Sequence, residues 1–540
     1  MKLPRSWRAI VVPVLIVMMA TPVMLTQFPS IAQGQAGVQS QAGQSASVSP
    51  AGIYTPQWSS TPPQPNAAQI AAAQAEQARI EKAWASRPLP ATPPNLAGPR
   101  AGTETIADSR AQAPGTFTIF RNTAPNGSPA GFRSNVAEPA IAQNGKFVYY
   151  THNWYVARST NGGTTWAFIS PFADMSFFCC DQDTLFDPAR NQIIWYRQGL
   201  YGTPAGRNTI RIQRSIDGGA TWCTYNLTPA NLGYPTGQWF DYPHLAVSND
   251  YLYVTSNMFT AAGAFLRMVL MRLSLDQMRS CITVGITFWT RTTGWSWTPA
   301  QGATDRMYVG DHESPGATMR VFWNDEANTT LSSALIDQPN FTPTNRNATC
   351  ASLGGGNPCL RADMRILRGW ILRNAATNTI QVGFFWNVKE GAGFTKPYVD
   401  SVLINANTNT IVAGAAGRPF IWNGTIAFFY ASASPNARGH LGINVSAFQS
   451  SVFPRLYVGI DDDFNGAPPG WEIALVATGT GAALGNVWGD YSRVVPFRPS
   501  GLSWVSSGFV STGSSNNTSL RATWFGRGRD QDDFNYWNNK

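Results

Sequence analysis

The sequence predicts an all-β fold assembled from repeated four-stranded sheets. Two segments, beginning at Arg158 and Arg214, are near copies of each other and read RSTNGGTTW and RSIDGGATW. A degenerate third copy, RLSLD, begins at Arg272 and keeps only the opening Arg-x-Ser-x-Asp. The serines of the three copies lie 56 and 59 residues apart, a spacing that suits one four-stranded blade of a β-propeller.

Residues 115–540 have the composition expected of such blades. Aromatic residues are frequent, Gly and Asn punctuate the chain, and short β-rich runs alternate with turn residues. About 420 residues, at roughly 60 to 70 residues per blade, give six or seven blades. We therefore predict a six- or seven-bladed β-propeller over residues 115–540, with no second folded domain.

Each near copy has the chemistry of a tight hairpin turn. Asn161 and Asp217 supply a short side-chain acceptor, and the Gly-Gly pairs tolerate positive φ. The Ser and Thr hydroxyls can bond turn amides, and Trp166 or Trp222 is expected to cover the turn as a buried plug. The motif therefore predicts a role in the fold rather than contact with a ligand.

These segments, with the pattern Ser-x-Asp-x-Gly-x-Thr-Trp, resemble the Asp-box (BNR) repeat of sialidase-like β-propellers. The resemblance implies a propeller fold and an activity on glycans, but it does not transfer a catalytic set. Arg121 and Arg133 lie at about the right place for the early sialidase arginine, yet neither is followed by Ile-Pro. Tyr491 is the best candidate for a late catalytic tyrosine, without a visible glutamate partner.

The first 32 residues read as a secretory signal peptide. Three basic residues precede an apolar run from Ala9 to Met24, and Ser30-Ile31-Ala32 offers a cleavage site. An uncleaved N-terminal anchor is the alternative, although Pro13 and Pro22 interrupt the run. No other stretch is apolar enough to cross a membrane. We therefore expect a protein that is secreted or otherwise extracytoplasmic, in the periplasm or at the cell surface.

Residues 33–114 are rich in Gln, Ala, Ser and Pro and poor in large apolar residues. Such a composition buries too little surface to offset chain entropy, so a disordered linker is predicted. The stretch from Asn66 to Ser86 is the exception, because its Ala, Gln and Glu residues could form a lone helix.

Six cysteines in an exported chain predict disulfides. They are Cys179, Cys180, Cys223, Cys281, Cys350 and Cys359. The last two flank a short flexible loop and are expected to bond locally. The adjacent pair Cys179-Cys180 is expected to bond outward, to the two middle cysteines, rather than internally.

The formal net charge of +9 is spread along the chain without a Lys/Arg run. It favours an acidic polysaccharide or another anionic surface as partner, and nucleic acid is not expected. The sequence has no His-x-His or HExxH pair, no phosphate-binding glycine loop and no serine-nucleophile elbow. We expect a monomer.

Four acidic residues stand just before short apolar strands. They are Glu138, Asp181, Asp241 and Asp490. In a four-stranded meander, the start of the first strand and the turn between the third and fourth strands lie on opposite faces. The acids are therefore expected to gather at the channel mouth, away from the repeat turns, where they could provide acid/base chemistry or ligate a cation. The alternative is that each acid caps its own strand by bonding backbone amides of the neighbouring blade.

The leading functional hypothesis is an exported glycan-directed enzyme, of glycoside hydrolase type, acting on a polysaccharide or glycoconjugate. One protonated carboxyl of the four would act as acid and another as base or nucleophile, with Tyr491 and His244 beside them. A non-catalytic propeller that binds carbohydrate or protein is the first alternative. The second is a polysaccharide lyase, in which Tyr491 or His244 is the base and Arg493 neutralises a uronate.

A separate segment, DDDFNGAPPGWE from residue 461 to 472, has the spacing of a calcium loop. Asp461, Asp463 and Asn465 occupy positions 1, 3 and 5, a glycine follows at 6, and Glu472 stands at 12. Prolines and the lack of flanking helices exclude an EF-hand, but a turn between strands could still ligate Ca²⁺. A solvated acidic loop is the alternative.

Overall fold

The computed structural model is dominated by β-strands joined by tight turns. It describes residues 38–63, 66–85, 105–106, 115–125, 137–200, 208–314, 318–374, 377–465, 470–483, 486–513 and 518–540. The signal peptide predicted over residues 1–32 lies outside these residues. Within them, no helix is both long and apolar enough to span a membrane.

The described part of the chain begins with short elements that precede the repeated strands. They are β1 (Gln39–Ala42), β2 (Gln44–Val48), β3 (Pro50–Tyr54), α1 (Ala67–Ala85), β4 (Thr105–Ile106) and β5 (Phe117–Thr123).

The following strands form consecutive antiparallel groups, which we call units A to G. Unit A contains β6 (Ala140–Asn144), β7 (Phe147–His152), β8 (Tyr155–Ser159) and β9 (Ala167–Ile169). Unit B contains β10 (Phe178–Asp187), β11 (Gln192–Gly199), β12 (Ile210–Ser215) and β13 (Trp222–Leu227). Unit C contains β14 (Trp239–Val247), β15 (Tyr251–Phe259), β16 (Phe265–Ser274), α2 (Leu275–Ser280) and β17 (Val284–Arg291).

The second half of the chain repeats this organisation. Unit D contains β18 (Thr298–Gln301), β19 (Arg306–Ser314), β20 (Thr318–Asp325) and β21 (Thr330–Asp337). Unit E contains β22 (Ile366–Asn374), β23 (Thr379–Val388), β24 (Tyr398–Asn405) and β25 (Thr410–Ile411). Unit F contains β26 (Ala427–Pro435), β27 (Leu441–Gln449), β28 (Val452–Asp461) and β29 (Glu472–Thr478). Unit G contains β30 (Arg493–Pro496), β31 (Trp504–Ser511) and β32 (Thr518–Arg527), and α3 (Gln531–Asn538) ends the chain.

The first strands of the units form a closed cycle. β6, β10, β14, β18, β22, β26 and β30 contact one another in that order, and β30 contacts β6 again. Within each unit the strands pair outward in chain order, and β18 pairs both with β19 and, in parallel, with β22. In a β-propeller the sheets are arranged radially around their first strands in this way.

Central strands are buried on both faces because a neighbouring sheet packs on each side. Every residue of β11 and of β26 is buried. Between units A and B the rings of Tyr149, Trp195 and Trp222 pack with centroids 4.9–5.6 Å apart. Burial on both faces explains why the sequence shows aromatic-rich runs rather than strict polar–apolar alternation.

The segment expected to be a disordered linker, residues 33–114, differs from that expectation where it is described. β1, β2 and β3 add outer strands to β21, β17 and β13. The predicted helix forms as α1, but it contacts β10 rather than standing alone. A strand that completes an exposed sheet edge gains backbone hydrogen bonds without needing large apolar residues, which a composition argument overlooks. Residues 33–37, 64–65, 86–104 and 107–114 lie outside the described residues.

The two near-identical segments form hairpin turns between the third and fourth strands of units A and B. In unit B, Asp217 Oδ1 accepts from the amides of Ala220 and Thr221 at 2.9 Å, and Ser215 Oγ accepts from the Gly219 amide at 2.8 Å. Gly219 has a φ of 88°, a conformation that favours glycine. Asn161 and Ser159 make the matching bonds in unit A. The turn role predicted for these segments is confirmed by this geometry.

The tryptophans of the two turns differ in burial. Trp222 is fully buried, and its indole N–H donates to the Gly219 carbonyl at 3.1 Å. Trp166 is only half-buried, contrary to the expectation that both would be enclosed. In the degenerate third copy the hairpin is replaced by α2, whose first turn is capped by Ser274 accepting from the Gln277 amide.

The disulfides differ in part from expectation. Cys350 pairs with Cys359, as the short loop predicts. The adjacent Cys179 and Cys180 pair with each other, whereas Cys223 pairs with Cys281. The prediction of outward bonds was wrong because Cys179 and Cys180 lie at the start of β10, while Cys223 lies on β13, the outer strand of the same unit. At that outer strand it meets Cys281, which follows α2, with a Cα–Cα distance of 5.9 Å.

Candidate functional site

Four acidic residues from four units meet at one end of the ring. Glu138 precedes β6, Asp181 lies in β10, Asp241 in β14, and Asp490 precedes β30. Each residue is at most 8% exposed. The Asp490 amide donates to Glu138 Oε1 at 3.2 Å, and the charges of the other three acids act on Asp181. The structure thus brings together the acids that their positions before strands predicted to share a mouth.

Two buried arginines, absent from the sequence prediction, contact these acids, and a third lies close by in the sequence. Arg361 places its Nη atoms 3.6 Å from Glu138 Oε1 and 3.4 Å from Asp490 Oδ2. Arg365 Nη2 donates to the same Asp490 oxygen at 3.0 Å, and Arg368 follows in β22. The repeated arginines of LRADMRILR are a visible signal, but spacing alone does not reveal that this connection between units D and E reaches the centre.

The environment separates the pKa values of two of these carboxyls. Burial opposes ionisation of Asp490, but Arg361, Arg365 and Arg346 outweigh it and hold its pKa below the ordinary value. Burial raises the pKa of Asp181 well above its ordinary value, and the charges of Glu138, Asp241 and Asp490 raise it further. Two aspartates of one cluster therefore favour opposite protonation states, protonated Asp181 and ionised Asp490.

Asp181 also differs from its neighbours in its hydrogen bonding. Its side chain makes no hydrogen bond or ion pair with any residue in the part of the chain that the structure describes. A buried carboxyl without a partner is unfavourable for folding alone, and such groups concentrate at functional sites. Asp181 is therefore the strongest candidate for a proton donor.

The other two acids have structural partners. Glu138 Oε2 accepts from Asn153 Nδ2 at 3.0 Å, and together with its bond from the Asp490 amide this links neighbouring units. Glu138 thus makes the bond expected of a blade cap. Asp241 accepts from Trp84 Nε1 at 2.5 Å and from Gln198 Nε2 at 3.2 Å. Burial raises the pKa of both carboxyls.

Tyr491 lies within the same cluster. Its hydroxyl donates to the Gln182 carbonyl at 3.4 Å. Burial raises the pKa of Tyr491 well above its ordinary value, and the charges of Asp181 and Glu138 add to the shift. The glutamate that could not be paired with Tyr491 in the sequence is therefore Glu138, which comes from unit A.

The side chains of His244 and Arg493 contact other residues of this chain rather than facing an open site. Arg368 Nη1 lies 2.8 Å from His244 Nδ1, and the His244 ring packs edge-on against Tyr242 and Tyr491. Burial and the charge of Arg368 lower the pKa of His244 well below its ordinary value, so the ring is neutral and Nδ1 accepts. Arg493 forms a buried ion pair with Asp183. Substrate contact by His244 or Arg493 stays a prediction that this geometry does not support.

The residues of the predicted calcium loop do not fit a calcium ion in this arrangement. Arg527 donates to Asn465 Oδ1 at 3.2 Å and to Glu472 Oε2 at 2.5 Å, and Arg529 pairs with Asp463 at 2.7 Å. Burial, with the charge of Asp462, raises the pKa of Asp461 to about 6. Two guanidinium groups thus neutralise the acceptors that a cation would need, and calcium ligation stays a prediction that requires their displacement.

Comparison with known proteins gave structural similarities only. No family model and no curated protein sequence matches the chain. A mutant α-L-arabinofuranosidase from Fusarium graminearum bound to an iminosugar inhibitor is 9% identical, with a TM-score of 0.39, over 76% of this chain and 98% of that chain. An α-L-arabinanase from Penicillium chrysogenum bound to arabinobiose is 10% identical, with a TM-score of 0.36, over 77% and 99%. The Hadza microbial sialidase Hz136 is 12% identical, with a TM-score of 0.37, over 62% and 69%. These similarities are too low to assign a function.

Proposed function

We propose that the protein is an exported β-propeller enzyme that hydrolyses glycosidic bonds. The observation that carries the proposal is the pair formed by Asp181 and Asp490, which lie in one buried cluster and have pKa values shifted in opposite directions. Glycoside hydrolysis needs one carboxylic acid and one carboxylate beside the scissile bond. The cluster supplies one group of each kind.

In this proposal Asp181 is the general acid. Its proton passes to the glycosidic oxygen as the bond from that oxygen to the anomeric carbon breaks, and the bonding electrons leave with the oxygen. Asp490 is the carboxylate partner, stabilising the positive charge that develops on the sugar ring. The oxygen of a water molecule then bonds to the anomeric carbon, and the proton that this water loses passes to the Asp181 carboxylate, which restores the starting state of both carboxyls.

The remaining residues position these two groups. Arg361 and Arg365 keep Asp490 ionised, and Glu138 fixes the Asp490 backbone through its amide. Tyr491 is buried in the same cluster and donates to the carbonyl of Gln182, the residue that follows Asp181. Removal of any of these would change the geometry or the pKa of the reacting carboxyls rather than remove a reacting group.

The finer description of the fold also belongs to the proposal. The closed cycle of seven first strands, from β6 to β30, supports a seven-bladed propeller. The hydrogen bonds of Ser215 and Asp217 support identifying the turns as Asp-box repeats. Export to the cell surface, the periplasm or the medium rests on the basic and apolar pattern of the first 32 residues. The glycan itself is left open.

The test is a panel of polymers and oligosaccharides that contains sialosides, neutral glycans including arabinobiose, and uronate polymers. Reducing ends released without unsaturation support hydrolysis. Absorbance from new double bonds would instead identify a lyase, and binding without turnover would identify a binding propeller. Asp181→Asn should abolish turnover, whereas Asp187→Asn, at the far end of the same strand, should retain it.

A further inference from the structure

Helix α1 buries one face. Asn66 and Gln69 cap its start reciprocally: Asn66 Oδ1 accepts from the Gln69 amide at 2.9 Å, and Gln69 Oε1 accepts from the Asn66 amide at 3.0 Å. Its buried side chains recur at helical spacing and belong to residues 73, 76, 80, 83 and 84. The opposite face, with Gln74 and Lys82, is exposed.

The C-terminal end of α1 packs on the carboxylate cluster. Trp84 is 3% exposed, and its indole N–H donates to Asp241 Oδ2 at 2.5 Å. The Arg365 guanidinium lies 4.3 Å from the centre of the Trp84 ring. Glu81 Oε1 lies 3.6 Å from Arg361, the arginine that pairs with Glu138 and Asp490. This end of α1 therefore uses the same groups as the proposed active site.

The rest of the buried face of α1 packs on residues beside the carboxylate cluster. The Arg79 guanidinium stacks 3.7 Å from the centre of the Trp239 ring. The Ala73 carbonyl oxygen lies 3.8 and 3.7 Å from the sulfur atoms of Cys179 and Cys180. An indole face is a flat apolar surface of the kind on which a sugar ring packs, and Arg79 of α1 occupies that face of Trp239.

From these contacts we propose that α1 is an autoinhibitory segment that fills the glycan-binding groove, so that the full chain is a latent form of the enzyme. The proposal rests on the function proposed above. In this structure Trp239 contacts Arg79, and Tyr242 and Phe259 contact Trp84. Under the proposal, these three residues form the wall of the groove once α1 has left.

Physical properties of α1 suit such a role. Most of the stability of a helix within a protein comes from packing rather than from propensity, so docking of its buried face contributes to holding the 19 residues of α1 in place. β3 holds the chain before it to unit B, which keeps α1 at high local concentration near the groove. Two of the contacts that anchor α1 to the cluster are the Trp84 hydrogen bond and the Glu81 ion pair, and a single substitution removes each of them.

The test uses the full chain with Trp84→Phe and Glu81→Gln together. Phe keeps a ring but removes the N–H donor, and Gln removes the charge that faces Arg361. Turnover of a responsive glycan should rise about tenfold or more, because the change moves the docked–released equilibrium of α1. A synthetic peptide of residues 66–85 should reverse the gain. Lys82→Gln, on the exposed face, is the matched control and should leave turnover unchanged.

A second readout does not require turnover. Labelling of carboxyls with a water-soluble carbodiimide and an amine, mapped by mass spectrometry, reports access to Asp181. The double variant should label faster at Asp181 than the wild type and the Lys82→Gln control.

The combined outcomes separate the two proposals. Faster labelling without turnover on any glycan keeps α1 as a cover and overturns the hydrolase. Turnover that is equal in the wild type and the double variant keeps the hydrolase and overturns autoinhibition. Neither turnover nor a change in labelling overturns both.

Discussion

At the scale of single residues, Asp181 and Asp490 show how one side-chain type takes opposite roles. Both are buried at the start of first strands, and desolvation acts against ionisation of each. Asp490 faces Arg361 and Arg365, whereas Asp181 faces three other acids. The sign of the neighbouring charge therefore decides which carboxyl keeps its proton.

Asp181→Asn tests the role of the proton donor. Asn has nearly the shape of a protonated carboxyl, and Asp181 has no hydrogen bond in the described structure to lose, so the free energy of unfolding should change by less than about 1 kcal/mol. Turnover should fall by a factor of about 10² to 10⁴, since the proton of the leaving oxygen is lost. Chemical unfolding and initial rates check the two parts, and a large loss of stability would make Asp181 a structural residue.

The pH dependence of kcat/KM follows from the same pair. The ionised form of Asp490 is lost as pH falls through its lowered pKa, so the acid limb should lie below the ordinary aspartate value of about 3.9. The protonated form of Asp181 is lost as pH rises through its raised pKa, so the alkaline limb should lie well above that value. A rate profile from about pH 2 to about pH 10 checks both. Two limbs close together near the ordinary value would contradict this assignment.

At the scale of elements, the tryptophans of the two hairpin turns differ in burial and therefore in how much they stabilise their units. Trp222 packs against Tyr149 and Trp195, with centroids 4.9 and 5.4 Å away, and is fully buried. Trp222→Ala should therefore cost about 3–5 kcal/mol of unfolding free energy. Trp166→Ala should cost roughly 1–2 kcal/mol, because that ring is half-buried. Equal losses in urea unfolding would contradict the packing described for the two turns.

The acidic loop after β28 gives a test of metal against ion pairs. Arg527 is 2% exposed and pairs with Asp462 and Glu472. Arg527→Gln should cost about 3 kcal/mol, since it leaves the buried Asp462 without its counter-charge. Arg529→Gln, whose partner Asp463 is half-exposed, should cost less than about 1 kcal/mol. A chelator should leave the Tm of the wild type unchanged, and a clear fall would favour the calcium interpretation.

Some elements were predictable because their signal is local. The turns of Ser159 and Ser215 carry their own acceptors and glycines, and the acids near the starts of β10 and β14 follow from one repeated pattern. Arg361, the Cys179–Cys180 pair and the docking of α1 were not predictable. Each depends on which distant segment the closed ring brings to the centre, and residue spacing does not encode that.

At the scale of the whole molecule, the N-terminal segment binds the ring together. β1, β2 and β3 cover the outer edges of units D, C and B, and β5 completes unit G by pairing with β32. Covered edges protect a sheet protein against edge-to-edge association. The same segment carries α1 to the mouth, so closure of the fold and access to the site are connected through one stretch of chain.

The most direct test of the central claim is glycan hydrolysis by the chain in which α1 is released by Trp84→Phe and Glu81→Gln. Reducing-end release across the panel is measured with and without Asp181→Asn in that background. The account predicts turnover of at least one glycan, lost by a factor of about 10² or more when Asp181 is replaced, with the Tm unchanged. Turnover that survives the replacement, or no turnover on any glycan after α1 release, would contradict it.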